Sequence, residues 1–310
     1  MRWSFSAAST FLQCQKKWYY DTKVANSTDS NPNRREAFRL AQLLNVAAWR
    51  GKLVDQVISS FIVPRISSGE GLDKEQVLNY ADTLFEEQLR RANESPHGEN
   101  GQSTDESLRF YELEYDTGVS DQAIEKARAE VKASLTNFLD SSLLRELTSN
   151  GQKLIAQRPL QFKFAGAAVI GMPDLIVFYR DRPPIIVDWK VHASMHKEHR
   201  LQLCIYGLAL ARAKPHKDFP SEWLDSIKDP TKVKLVEYQL LHNRIIDYTI
   251  TQDDIVDVED YIYTTSTRMQ NLIDGVKDLP EQAVMHLPTA HYSSACEMCN
   301  FKKPCWRSAS

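Results

Sequence analysis

The sequence predicts an α/β fold: a sheet-centred core with a helical layer, closed by a metal-bound tail. Three observations carry this expectation. The first half of the chain places apolar residues at helical spacing. After Gly151 the pattern changes to short apolar or alternating runs punctuated by Gly and Pro, which read as consecutive strands. Four of the five cysteines stand at the two chain ends, with Cys14 near the start and Cys296, Cys299 and Cys305 as C-x2-C-x5-C near the end.

Taken in order, the first 25 residues mix aromatic and basic groups around Cys14. Residues 34–62 read as one helix, with Phe38, Ala41, Leu44, Ala48, Val54, Val57 and Phe61 at roughly helical spacing. A second helix covers 73–92 through Val77, Ala81, Leu84, Phe85 and Leu89. The polar, breaker-rich stretch 94–107 reads as an exposed loop. Ser120 is placed to cap a third helix running to Leu147. The strands expected next are Leu160–Phe164, Ala168–Ile170, Leu175–Tyr179 and Ile185–Val191, followed by a helix from about Lys197 to Arg212. Residues 233–250 return to strand-like alternation. Thr251 opens a T-x-x-D capping-box pattern leading into a helix that ends near Gly275, and the tail 276–310 is loop-rich.

Composition narrows the class. Hydrophobic content of 42% and charged content of 25% over 310 residues are ordinary for a soluble globular protein. No apolar run is long enough to span a bilayer, so no membrane partner is expected. The N-terminus lacks the apolar core of a secretory signal, which places the protein in the cytoplasm, where cysteine clusters are more often metal sites than disulfides. A net charge of −3 excludes a uniformly basic nucleic-acid coat and leaves local patches. Candidate patches are His192, His196 and His199 with Lys197 and Arg200, and Lys16, Lys17, Lys302 and Lys303 if the chain ends meet. For the histidine stretch a DNA-facing patch or a plain solvated face outweighs a metal cluster, and Lys302-Lys303 is more often solubility than recognition.

The chemistry concentrates in the middle of the chain. Gly171-Met172-Pro173-Asp174 is expected to open one strand, and Ile185-Ile186-Val187-Asp188-Trp189-Lys190-Val191 forms another. Residues two apart on a strand face the same side, so Asp188 and Lys190 point together while Trp189 points away. If the strands pair, Asp174 meets Asp188, and two carboxylates share a site with a lysine. Carboxylates with water suit Mg²⁺ or Mn²⁺. A lysine there can orient a water and offset charge building on a phosphate. An isolated D-x-K is more often a strand-end ion pair; the G-x-P-D upstream shifts the balance toward a site. Gln202 and Tyr206 are four apart on the expected helix and share a face, where an amide and a phenol can contact a phosphate backbone or hold the lysine. For the four thiols, residue type alone leaves zinc and an iron–sulfur cluster open. Cys204, within the Gln202–Tyr206 segment, reads as a buried apolar residue rather than a ligand.

Together these pieces resemble the PD-(D/E)XK nuclease superfamily, specifically its RecB-like branch with a four-cysteine iron–sulfur cluster, which includes the AddB nuclease domain and the CRISPR-associated adaptation nuclease. Ser6-x2-Ser9-x4-Cys14 followed by Lys17-Trp18-Tyr19-Tyr20 is similar to the family's opening cysteine segment. Gly171 to Asp174, Asp188-Trp189-Lys190, Gln202 to Tyr206 and the terminal cysteine triplet match its later motifs in order. The resemblance implies a restriction-endonuclease-like core, a central mixed sheet flanked by helices, with an iron–sulfur-pinned C-terminal tail. It implies segments 1–33 (N-terminal cluster segment), 34–65 (core helix), 66–150 (helical insertion), 151–275 (nuclease core) and 276–310 (C-terminal cluster segment).

It also implies roles. Asp174, Asp188 and Lys190 would be catalytic, with Asp174, Asp188 and the Trp189 carbonyl binding Mg or Mn. Gln202 and Tyr206 would bind substrate. Cys14, Cys296, Cys299 and Cys305 would hold a [4Fe-4S] cluster in preference to zinc. Trp189 should lie in the packed side of the sheet. The branch carries a histidine ligand in an early helix; here Trp49-Arg50-Gly51-Lys52-Leu53-Val54-Asp55 fits that segment, with Asp55 in the histidine's place. The expected activity is hydrolysis of DNA single strands or duplex ends, by an exonuclease in repair, recombination or defence. The alternative is a catalytically degenerate module that binds DNA or a helicase. The chain shows no Walker motif, so a helicase would be a separate partner.

Overall fold

Apolar runs that are continuous rather than alternating belong in strands covered on both faces, and the computed structural model places them so. It describes residues 1–94, 108–150, 153–191, 196–223, 226–290, 292 and 294–307. The strands are β1 (Arg2–Trp3), β2 (Lys153–Ala156), β3 (Leu160–Phe164), β4 (Ala167–Gly171), β5 (Leu175–Phe178), β6 (Ile185–Lys190), β7 (Lys234–Gln239) and β8 (Arg244–Thr249). One mixed sheet has the order β2-β5-β6-β7-β8, and a smaller one the order β1-β4-β3. Among these strands, β6 with β7 and β1 with β4 run parallel and the other pairs antiparallel.

The chain divides into two compact units. The first comprises Met1–Phe5, Arg50–Phe85 and Glu125–Thr264, and the second Ser6–Trp49, Glu86–Ile124 and Thr265–Ser310. Both sheets lie in the first. All four residues of β5 are buried, as are Ile185 to Trp189 of β6, so these two strands form the centre of the core. The helix His196–Arg212 makes the crossover that a parallel β6–β7 pair requires. It buries Leu203, Cys204, Ile205, Leu208 and Ala209.

In the second unit the C-terminal tail is tied down by specific bonds. Tyr20 stacks on Phe301 with centroids 5.1 Å apart. Tyr111 Oη donates to the Glu297 carbonyl at 2.7 Å, Tyr115 Oη to the Asn300 carbonyl at 2.6 Å, and Asn300 Nδ2 to the Leu43 carbonyl at 3.0 Å.

Several sequence expectations need correction. The helix expected over 34–62 is broken into Pro32–Ala41 and Val46–Val57, continued by a wider π-helical turn at Ile58–Ile62. The break has a cause: Leu44 bridges to Phe110, and Asn45 Oδ1 accepts the Ala48 N–H at 2.7 Å, starting a new helix. The helix expected from Ser120 to Leu147 splits at Ser141. The Ser141 hydroxyl donates to the Phe138 carbonyl at 2.7 Å and accepts the Leu144 N–H at 3.0 Å. Gly171 closes β4 rather than opening a strand, and β6 stops at Lys190.

The capping box is as read: Thr251 N–H donates to Asp254 Oδ2 at 2.8 Å, and Asp254 N–H to Thr251 Oγ1 at 3.2 Å. β1 and β2 have no counterpart in the sequence expectations. The 94–107 stretch, apart from Glu94 at a helix end, and the side chains of His192, His196 and Lys197 lie outside the described residues. Among the described residues no helix is long and apolar enough to cross a membrane.

Candidate active site

The antiparallel register of β5 and β6 decides which carboxylates meet. Leu175 pairs with Val187, so Asp174, one residue before β5, falls beside the Asp188 end of β6. There Asp174 Oδ2 accepts the backbone N–H of Trp189 at 2.9 Å. Asp188 and Lys190 share the same side of β6, and Lys190 Nζ lies 2.5 Å from Asp188 Oδ2. This contact is an ion pair on a buried oxygen, since the Asp188 side chain is 3% exposed. Gln202 and Tyr206 sit on the helix above, joined by a bond from Gln202 Nε2 to Tyr206 Oη at 2.8 Å.

Asp55 enters from the Val46–Val57 helix, where its neighbours Val54 and Val57 are fully buried. Its Oδ1 accepts the Trp189 indole N–H at 2.9 Å and the Gln157 side-chain N–H at 2.8 Å. Trp189 is packed, edge-on to Phe138 at 6.1 Å, and also anchors this carboxylate. The structure therefore brings Asp55, Asp174, Asp188, Trp189 and Lys190 together, with Gln202 and Tyr206 beside them.

Charge crowding sets the electrostatics. Burial pushes the Asp174 carboxyl well above the usual carboxylate range, and Asp188 and Asp55 add to the rise against Lys190 and the Trp189 N–H. Burial also raises Asp55, which the bonds from Trp189 and Gln157 partly offset. For Lys190, burial disfavours the ammonium, but Asp188 and Asp174 outweigh it and its pKa rises. The Tyr206 phenol is raised by burial and then by Asp188 and Asp174. It stays a neutral hydrogen-bonding group.

Three carboxyl groups and a single ammonium make a donor set that fits a hard divalent cation. Among the described residues, no three or more His, Cys, Asp or Glu side chains are already drawn into a ligand set.

Sequence reasoning missed two residues here. Gln157 bridges Asp55 to Asp174, its second contact being 3.2 Å to Asp174 Oδ1. Nothing in its local pattern marked it. Glu237, fully buried on β7 and in register with Asp188, accepts Gln239 Nε2 at 2.8 Å and Tyr248 Oη at 3.0 Å and faces His199 Nδ1 at 3.3 Å. A carboxylate inside the apolar run Leu235-Val236-Glu237-Tyr238 was the available signal. His199 thus belongs to this buried network rather than to an exposed basic face.

In the second unit the terminal cysteines form their own group. Cys14 Sγ accepts the Lys17 N–H at 3.3 Å, capping the helix Gln15–Tyr19. Burial raises the Cys299 thiol, which is further raised by Cys14 and Cys305 and lowered by the Phe301 N–H and Lys17. Burial raises Cys305 as well, with Lys16 opposing and Cys14 and Cys296 adding. Cys14 from one chain end and Cys296, Cys299 and Cys305 from the other therefore act on one another. None of these four is in a disulfide. Their soft sulfurs fit a thiophilic metal centre by donor type, without a preformed ligand set among the described residues. Of the four lysines, Lys303 is committed to Glu114 at 2.8 Å, and Lys16 Nζ reaches the Met285 carbonyl at 3.4 Å.

No curated protein matches this chain. Among solved structures, the crystal structure of SSO0001 is similar at 15% identity, covering 74% of this chain and 98% of its own, with a TM-score of 0.32. The family model of the PD-(D/E)XK nuclease superfamily matches residues 2–306, nearly the whole chain, and this protein belongs to that superfamily.

Proposed function

We propose that this chain is a metal-dependent deoxyribonuclease of the RecB-like, AddB-like branch, which hydrolyses phosphodiester bonds of single strands or duplex ends. The observation that carries the reading is the meeting of Asp174, Asp188 and Lys190 at the β5–β6 register, with Asp55 alongside. A bound Mg²⁺ or Mn²⁺ supplies Lewis acidity toward the phosphate. Asp174, Asp188, Asp55 and the Trp189 carbonyl hold it. Lys190 orients the attacking water and offsets charge on the phosphate. Gln202 and Tyr206 offer neutral donors to the substrate backbone. The four thiols support a structural [4Fe-4S] cluster joining the chain ends.

The test is digestion of end-labelled single- and double-stranded DNA with Mg²⁺ or Mn²⁺. Asp188→Ala and Lys190→Ala should each abolish cleavage while the circular dichroism spectrum is kept. Parental rates in both variants would remove the assignment.

One observation favours a second reading, a non-cleaving module that binds DNA or a separate helicase. Asp55 Oδ1 already accepts two hydrogen bonds, from Trp189 and Gln157. Tight DNA binding with no cleavage under either metal would establish that reading.

A further inference from the structure

Gln157 joins two carboxylates that come from distant parts of the chain. Its Nε2 donates to Asp55 Oδ1 at 2.8 Å and to Asp174 Oδ1 at 3.2 Å. Its backbone N–H donates to the Asp174 carbonyl at 3.0 Å. The residue is also left-handed, with φ at 48°, a conformation disfavoured for any side chain bearing a Cβ. A glycine would adopt that backbone freely, so glutamine's presence calls for a reason in its side chain.

The chemistry supplies one. In their ionised forms Asp55 and Asp174 repel each other, and a donor between them offsets that repulsion. A lysine in that place would take over the cation's charge role, and a glutamate would add repulsion. A primary amide has two N–H donors and no charge, so it can hold both carboxyl groups without adding a charge of its own. Hydrogen-bonded partners behind metal ligands set ligand orientation in this way.

We propose that Gln157 is a positioning residue: a neutral clamp that holds Asp55 and Asp174 near one another for a divalent cation. The proposal rests on the reading of Asp55, Asp174 and Asp188 as metal ligands, and adds the residue that ties two of them together.

The experiment is calorimetric titration of the full chain with Mn²⁺, comparing the parent, Gln157→Met, Gln157→Gly and Asp188→Ala, with melting temperatures of the metal-free proteins measured in parallel. Gln157→Met keeps length and removes the donors. Gln157→Gly removes the side chain and relieves the left-handed backbone. The clamp predicts that both bind Mn²⁺ about tenfold or more weakly, including Gln157→Gly, whose fold is not strained by the change. Parental Mn²⁺ affinity in Gln157→Gly overturns the clamp while leaving the metal site standing. A parent that binds no Mn²⁺, or Asp188→Ala binding like the parent, overturns the metal site and the clamp with it.

Discussion

A Cβ placed on residue 171 would stand 2.9 Å from Cδ1 of Tyr206, which makes Gly171 and Tyr206 a matched pair. The glycine ends β4, and the tyrosine ring lies against it from the His196–Arg212 helix. That ring is buried and its hydroxyl is engaged by Gln202 at 2.8 Å, so it has little freedom to yield. Gly171→Ala should therefore cost about 1–3 kcal/mol, the usual range for overpacking, and disturb the Gln202–Tyr206 pair. Denaturant unfolding measures the cost. Combined with Tyr206→Leu, the alanine should cost much less than it does alone, because the clash partner is gone. Strict additivity would mean that the glycine serves something other than this ring.

This pair also shows what the sequence could reveal. The motif residues were legible because strand alternation and helix spacing fix which side chains share a face: Asp188 with Lys190, Gln202 with Tyr206. Asp174 followed from pairing two apolar runs. Gly171 was visible as a motif letter, but its reason, a ring from a helix thirty-five residues on, is tertiary. Gln157 was illegible because no periodicity marks a left-handed residue whose side chain reaches two distant carboxylates. The helix breaks at Gln42–Asn45 and Ser141 were missed for a related reason. A polar side chain that caps a new helix looks the same in sequence as one facing solvent on a continuous helix.

Glu237 is fully buried, and its charge depends on its neighbours. Burial pushes its pKa up, yet the bonds from Gln239, His199 and Tyr248 outweigh burial and hold it below the usual range. Tyr248→Phe removes the donor at 3.0 Å to Oε2. It should destabilise the protein by about 1–3 kcal/mol, the cost of leaving a buried acceptor unpaired. Equilibrium unfolding at neutral pH checks this. In a Glu237→Gln background the same change should cost less, since the acceptor is no longer charged. Equal costs in both backgrounds would show that Tyr248 contributes packing alone.

Acid should act on the second unit through Glu114. Burial raises this carboxyl, but Arg39 and Lys303 outweigh it and bring it down to about 2 from an ordinary 4.5. A folded-state pKa below the unfolded one gives stability that is full above about 4.5 and fades as pH falls toward 2. The carboxylate side chain is 11% exposed and the partner side chains 30% and 40%, so screening trims the contribution to roughly 1–3 kcal/mol. Glu114→Gln should lower the melting temperature at pH 7 and narrow its gap to the parent between pH 4.5 and 2. A gap that is constant with pH would show that the loss comes from packing.

The thiol cluster makes the most discriminating prediction, because zinc and the proposed iron–sulfur cluster would use the same four sulfurs. Cys14 also caps a helix through Lys17 N–H, so its loss should act on the fold as well as on the centre. An anaerobic preparation should be brown and carry about four iron atoms per chain. Cys14→Ser should lose most of that iron and melt at a lower temperature, whatever its effect on DNA. Cys204→Ala is the control: Cys204 is buried in the His196–Arg212 helix of the other unit, with its thiol pushed up to about 11, mainly by burial. It should keep its full iron content. A colourless parent with one equivalent of zinc would replace the iron–sulfur assignment. Iron retained in Cys14→Ser would remove Cys14 from the ligand set and, with it, the linkage between the two chain ends.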